Sequence, residues 1–152
     1  QVTAGYTAGY GLFAVVQAVL IVLYAIFVLG LTCAGQPAWV IVTMVLLAVA
    51  ACSFGALISI FSRSEFQVVQ FIPIVITPQV FFSGLIPLDT IPYHLGNLSY
   101  LFPIYYCCAA IKHVMLYGDG GSVIWPYLLA LAAYTAALSA LNTAALKRYR
   151  RL

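Results

Sequence analysis

The run VVQAVLIVLYAIFVL, residues 15–29, is interrupted by a single amide, Gln17. A membrane-barrel strand has one lipid face and one lumen face, so it must alternate apolar with polar residues. This run does not alternate. It suits a helix, whose backbone groups bond within their own segment and need no water in hydrocarbon. The apolar character extends over 9–31, and three further stretches match it, at 39–61, 68–86 and 123–146. Each is close to the roughly 20 residues that cross about 30 Å of hydrocarbon at 1.5 Å per residue. The whole chain is 65% hydrophobic and 6% charged. Soluble domains carry roughly 25% charge, so an apolar core alone does not account for the shortfall. The expected fold class is an all-α integral membrane protein. It has four transmembrane helices and a re-entrant external helical hairpin between the last two. Residues 1–152 form a single transmembrane domain. The chain begins at Gln1 without methionine and shows no cleavable signal, so it is read as a fragment.

Charge sets the orientation. Five of the six Lys and Arg residues are Arg63 and the tail Lys147, Arg148, Arg150 and Arg151. Cationic loops face the cytoplasm, which places the C-terminus and the 62–66 loop inside. The 85–121 segment is then external, as is the 32–38 turn with its breakers Gly35 and Pro37. The expected location is the plasma (cytoplasmic) membrane, multi-pass. Four cations after a span anchor it, so the tail is not a nucleic-acid site; the bilayer is the partner it implies.

Small residues mark where helices meet. Ala48, Ala50, Ala51, Ser53, Gly55 and Ala56 in the second stretch allow close approach, as does the Ala-rich last stretch. Asn142 there needs an interhelical partner. Of the four cysteines, Cys52 reads as a small apolar residue. Cys107 and Cys108 lack a C-x-x-C spacing. A bridge from Cys33 to either is an open alternative.

The third stretch contains Pro73 and Pro78, which deprive the carbonyls of Val69 and Ile74 of their helical donors. Neighbouring helices must compensate in lipid, so this helix is expected to be bent and packed within a bundle. Gln70, Ile74, Thr77, Phe81 and Gly84 fall on one stripe. Gln70, Thr77 and Phe81 are the candidates for a substrate path; the competing reading is polar groups that merely join helices. Within 85–121, Asp89 and Thr90 before Pro92 favour a helix start, covering 93–100. Pro103 opens a second helix that runs to Met115 and closes at Gly118. That second helix is too apolar for a free loop and too short to span. It is read as re-entrant, with Gly84, Pro87, Pro92, Pro103 and Tyr105 shaping the segment.

Catalytic chemistry is not indicated. There are no paired carboxylates for acid–base work and no nucleophile–base set. His94 and His113 lack ligands at metal spacing and read as interfacial hydrogen-bonding residues. No G-x-x-x-x-G-K-[ST] loop occurs, so the chain is not expected to hydrolyse ATP.

The order of FFSGLIPLDTIP at 81–92, LSYLFPIYY at 98–106, a last apolar stretch and a basic tail resembles the permease subunit of ABC-2 type ABC transporters. The resemblance covers essentially the whole chain, as the last four of six family spans. It implies a half-transporter that pairs with a second permease copy and docks ABC ATPase subunits. ATP and its magnesium would be held by that ATPase, and no cofactor by this chain. It also implies that the third stretch lines the path and that Arg63 and Glu65 are candidate ATPase contacts, unless 62–66 is only a solvated turn. The expected function is ATP-driven export of an amphipathic compound such as a drug, antibiotic or lipid-like molecule. The alternatives are an ATP-independent secondary transporter or channel, or a non-transporting membrane scaffold.

Overall fold

A computed structural model describes residues 2–62, 64–84 and 95–149, with side chains described over 9–62, 64–84 and 97–145. Every regular element among the described residues is helical. Among the described residues three helices are long and apolar enough to cross a membrane.

The first, α1 (Val2–Phe27), carries a membrane-length stretch over Gly9–Phe27. It was expected to reach residue 31. It stops earlier because Gly30 adopts φ 63, a left-handed conformation open to glycine, while Leu31 N donates to Ala25 O at 3.2 Å. The second, α2 (Pro37–Phe61), starts with proline at its first turn, where the missing N–H costs nothing. Ser62 is extended and ends it.

The third helix, α3 (Glu65–Phe81), departs from expectation. Its N-terminus is fixed by the side chain of Ser64, which accepts from Gln67 N at 3.3 Å. Ser64→Ala should therefore cost about 1 kcal/mol. The check is a lower protease threshold at the 62–66 loop in the purified protein, with other cleavage sites unchanged. The helix has 17 residues rather than the expected crossing over 68–86. At 1.5 Å per residue it is about 25 Å long, short of about 30 Å of hydrocarbon. Pro73 and Pro78 sit inside it. It was expected to be bent and packed within a bundle; within this chain, among the described residues, it has no buried residue and touches α2 and the Pro103–Lys112 helix at only a few places.

A 3-10 turn, Leu95–Leu101, leads into α4 (Pro103–Lys112), which continues as a π turn (His113–Tyr117) and ends at Gly118 with φ 69. Pro103 opens this helix and Gly118 closes it, as expected. The last helix, α5 (Gly121–Tyr149), is membrane-length over Gly121–Ala145.

The small residues of α2 place it at the centre, against α1, α4 and α5. Ala50, Thr43 and Ser53 are buried there. Asn142 of α5 donates from Nδ2 to Ser53 O at 2.7 Å, an interhelical partner for the amide nitrogen, while its buried Oδ1 has no partner among the described residues. A shared core of Val22, Val40, Ala110, Val114, Ile124 and Leu128 joins α1, α2, α4, the π turn and α5. All four cysteines are free thiols, so no bridge joins Cys33 to Cys107 or Cys108.

Candidate functional site

The turn at Gly118 returns the chain so that α4 and α5 lie antiparallel. Their depth relation follows from one contact: Tyr134 Oη of α5 donates to Leu101 O at the foot of α4. Tyr134 lies midway along Gly121–Ala145, about 20 Å from Gly121 at the helical rise. The foot of α4 therefore sits halfway down the span beside it. The end of α3 meets it there. Phe82 stacks on Phe102, with centroids 5.6 Å apart and planes 7° from parallel.

An aromatic cluster surrounds this junction. Tyr105 is edge-on to Tyr100 at 5.1 Å and to Tyr106 at 5.5 Å. Tyr106 Oη donates to Tyr100 O at 2.9 Å. Gly84 has φ 82, and a Cβ placed there would touch the Tyr105 ring at 3.4 Å. A side chain at this position would be strained by the backbone and crowded by the ring. Ser83 is buried, and its hydroxyl donates to Val80 O at 2.7 Å.

The predicted path residues stand on the free side of α3. Gln70, Thr77 and Phe81 are all exposed, with Phe81 at 54%. Ile74 between them is 63% exposed. The stripe therefore exists as one uncovered surface, and it runs toward the Phe82–Phe102 stack. Of the residues expected to shape the following segment, Gly84, Pro103 and Tyr105 come together at this junction. Pro87 and Pro92 lie outside the described residues. Glu65 is exposed in the first turn of α3, where a carboxylate complements the helix dipole. Arg63 lies outside the described residues, as do Arg150 and Arg151.

A second cluster was not anticipated. His113 Nδ1 and Asp119 Oδ2 are 2.7 Å apart, and the imidazole stacks on Tyr127 at 5.5 Å. The i, i+6 spacing matches no helical pair. The left-handed Gly118 brings Asp119 back, with Asp119 N donating to His113 O at 3.1 Å. The glycines of 118–121 were the only local signal of it. His113 does take part in a hydrogen bond, with Asp119, and His94 lies outside the described residues. No group of three or more metal-ligating side chains occurs among the described residues.

A family model described as "ABC-2 type transporter" matches residues 1–116 of the 152. No curated protein and no solved structure matches the chain.

Proposed function

The chain belongs to the ABC-2 type transporter family, as a membrane permease component of ABC-type transporters, and from that we propose that it forms the path of an ATP-driven exporter. The cargo class is an amphipathic compound: a drug, an antibiotic or a lipid-like molecule. A second permease copy completes the path, and ABC ATPase subunits hold ATP and magnesium and supply the energy. The C-terminus is cytoplasmic, and the 62–65 turn with Arg63 and Glu65 faces the ATPase. The α3 helix is the fourth membrane element, and α4 with the turns around it re-enters from the external side.

One observation carries this reading. The α3 helix presents an amide, a hydroxyl and an aromatic ring on one uncovered face. Facing lipid, Gln70 would leave polar atoms without partners, at a cost of several kcal/mol in hydrocarbon. A face that meets a second copy or passing cargo avoids that cost. Intramembrane polar groups turned this way mark substrate pathways.

The experiment is ATP-dependent efflux from vesicles containing the full permease and its ATPase. Phe81→Ala and Thr77→Val should each lower efflux about tenfold or shift the cargo preference by a similar factor, some 1.4 kcal/mol at the barrier. Substitution of Leu20, an exposed residue of α1, should not. Unchanged efflux and unchanged cargo-stimulated ATP hydrolysis in both α3 variants would remove the stripe from the path.

A further inference from the structure

We infer that Tyr100, Tyr105, Tyr127, His113 and Asp119 form a ladder that passes the uncharged, hydroxylated head of an amphiphile from mid-span to the Gly121 end of the bundle. The inference rests on the permease reading and adds to it the outer part of the path and the head chemistry of the cargo.

The rungs follow one another along the contact between α4 and α5. Tyr127 and Tyr134 are about two turns apart on α5, so they share a face. Both meet α4, Tyr134 at its foot through Leu101 O and Tyr127 where it runs into the π turn. At the helical rise Tyr127 stands about 9 Å from Gly121, against about 20 Å for Tyr134. Tyr105 lies between these levels. Its hydroxyl interacts with that of Tyr100, whose ring is edge-on at 5.1 Å, and it is within electrostatic reach of Tyr127 across on α5. Tyr127 Oη and His113 Nε2 are 3.5 Å apart, and their rings stack at 5.5 Å. Asp119 Oδ2, 2.7 Å from His113 Nδ1, ends the series.

The tyrosines divide into two kinds. Tyr106 and Tyr134 donate to the main-chain carbonyls of Tyr100 and Leu101, and so fasten the foot of α4. Tyr100, Tyr105 and Tyr127 instead meet other side chains, and the 3.5 Å step to His113 is a loose one. A phenol hydroxyl both donates and accepts, as does an alcohol of a cargo head, so either can take the other's place. An unpartnered hydroxyl in hydrocarbon costs roughly 2–7 kcal/mol. A head that exchanges one rung for the next avoids that cost over the outer part of the crossing. The rungs are reachable from the side: Tyr100 is 55% exposed, and the other four are half-buried. An apolar tail can then stay in lipid while the head climbs. The ladder also starts where the α3 stripe ends, since Phe82 stacks on Phe102 and Gly84 lies against Tyr105. At the outer end the formal charges of Lys112 and Asp119 offset one another, which favours a head without charge.

Two tracer probes with the same tail, an alkyl glucoside and an alkyltrimethylammonium, test the ladder in vesicles holding the full permease and its ATPase. ATP should drive efflux of the glucoside. Tyr105→Phe and Tyr127→Phe keep the ring and remove the hydroxyl, and each should lower the preference for glucoside over trimethylammonium about tenfold. A glucoside carrying a photoreactive diazirine on its head should label residues within 100–134, and label them less in both variants. Labelling is read whether or not the probe is exported. Head label placed elsewhere, an unchanged preference, equal loss of both probes, or efflux of the trimethylammonium alone would overturn the ladder and leave the permease reading intact. Label at Tyr105 and Tyr127 without ATP-driven efflux of either probe would instead overturn the permease reading.

Discussion

Gly35→Ala should lower the thermal midpoint of the detergent-purified permease by several degrees, while Gly55→Ala should leave it unchanged or raise it. A Cβ on Gly35 would stand 2.8 Å from Val114 O and 3.2 Å from Val114 Cγ1. The first of these is backbone, and the same carbonyl accepts the Gly35 amide at 3.0 Å. The connection cannot back away from the new methyl without giving up that bond. Overpacking of this kind costs roughly 1–3 kcal/mol, and the strained bond adds about 1 kcal/mol. Gly121→Ala should also be destabilising, because a Cβ there would lie 2.5 Å from the Trp39 ring, which packs against the core and would have to shift. Gly55 faces open space within α2, so a methyl there brings only the helix preference of alanine, about 0.5–1 kcal/mol. The midpoints of Gly35→Ala and Gly121→Ala should therefore both fall below that of Gly55→Ala. If Gly35→Ala melted with the unaltered protein, the loop-to-π-turn seam would not be holding α1–α2 to α4–α5.

That seam also shows where sequence reasoning stops. Helix boundaries set by single residues were legible. Pro103 opens α4 and Gly118 closes the π turn, since each acts on its own backbone, whereas Pro37, read as a breaker within the 32–38 turn, opens α2. The central place of α2 was legible in its small residues, and the need of Asn142 for a partner in its amide. What failed were readings that depended on who stands beside whom. Two prolines suggested that α3 needs neighbours, and no residue of it is buried within this chain. The His113–Asp119 pair depends on a dihedral at Gly118 that no periodicity reports. Of the candidate path, the stripe Gln70–Thr77–Phe81 followed from helical spacing alone. Its meeting with Tyr105 and Phe102 at mid-span depth is a long-range contact and had no local signature.

Withdrawing the ATPase, or supplying a non-hydrolysable nucleotide, should reduce export to the passive leak of protein-free vesicles, and a pH or sodium gradient should not restore it. The reason is in the spans themselves. Gly9–Phe27, Pro37–Phe61 and Gly121–Ala145 contain no Asp, Glu, Lys, Arg or His. Glu65 is the one carboxylate of α3 and stands in its first turn. Gradient-coupled carriers move ions through ionisable or coordinating groups within the membrane, and a proton relay needs a side chain that titrates there. Among the described residues His113 and Asp119 pair with each other at the Gly121 end of the bundle, away from the α3 stripe. No G-x-x-x-x-G-K-[ST] phosphate loop occurs in the sequence. Under the proposed function, cargo movement follows from conformational work done on the permease by a partner that hydrolyses ATP. Gradient-driven accumulation in vesicles holding the permease alone would contradict this and favour a secondary transporter. Equal leak with and without the permease, in the presence of a competent ATPase and ATP, would favour a scaffold.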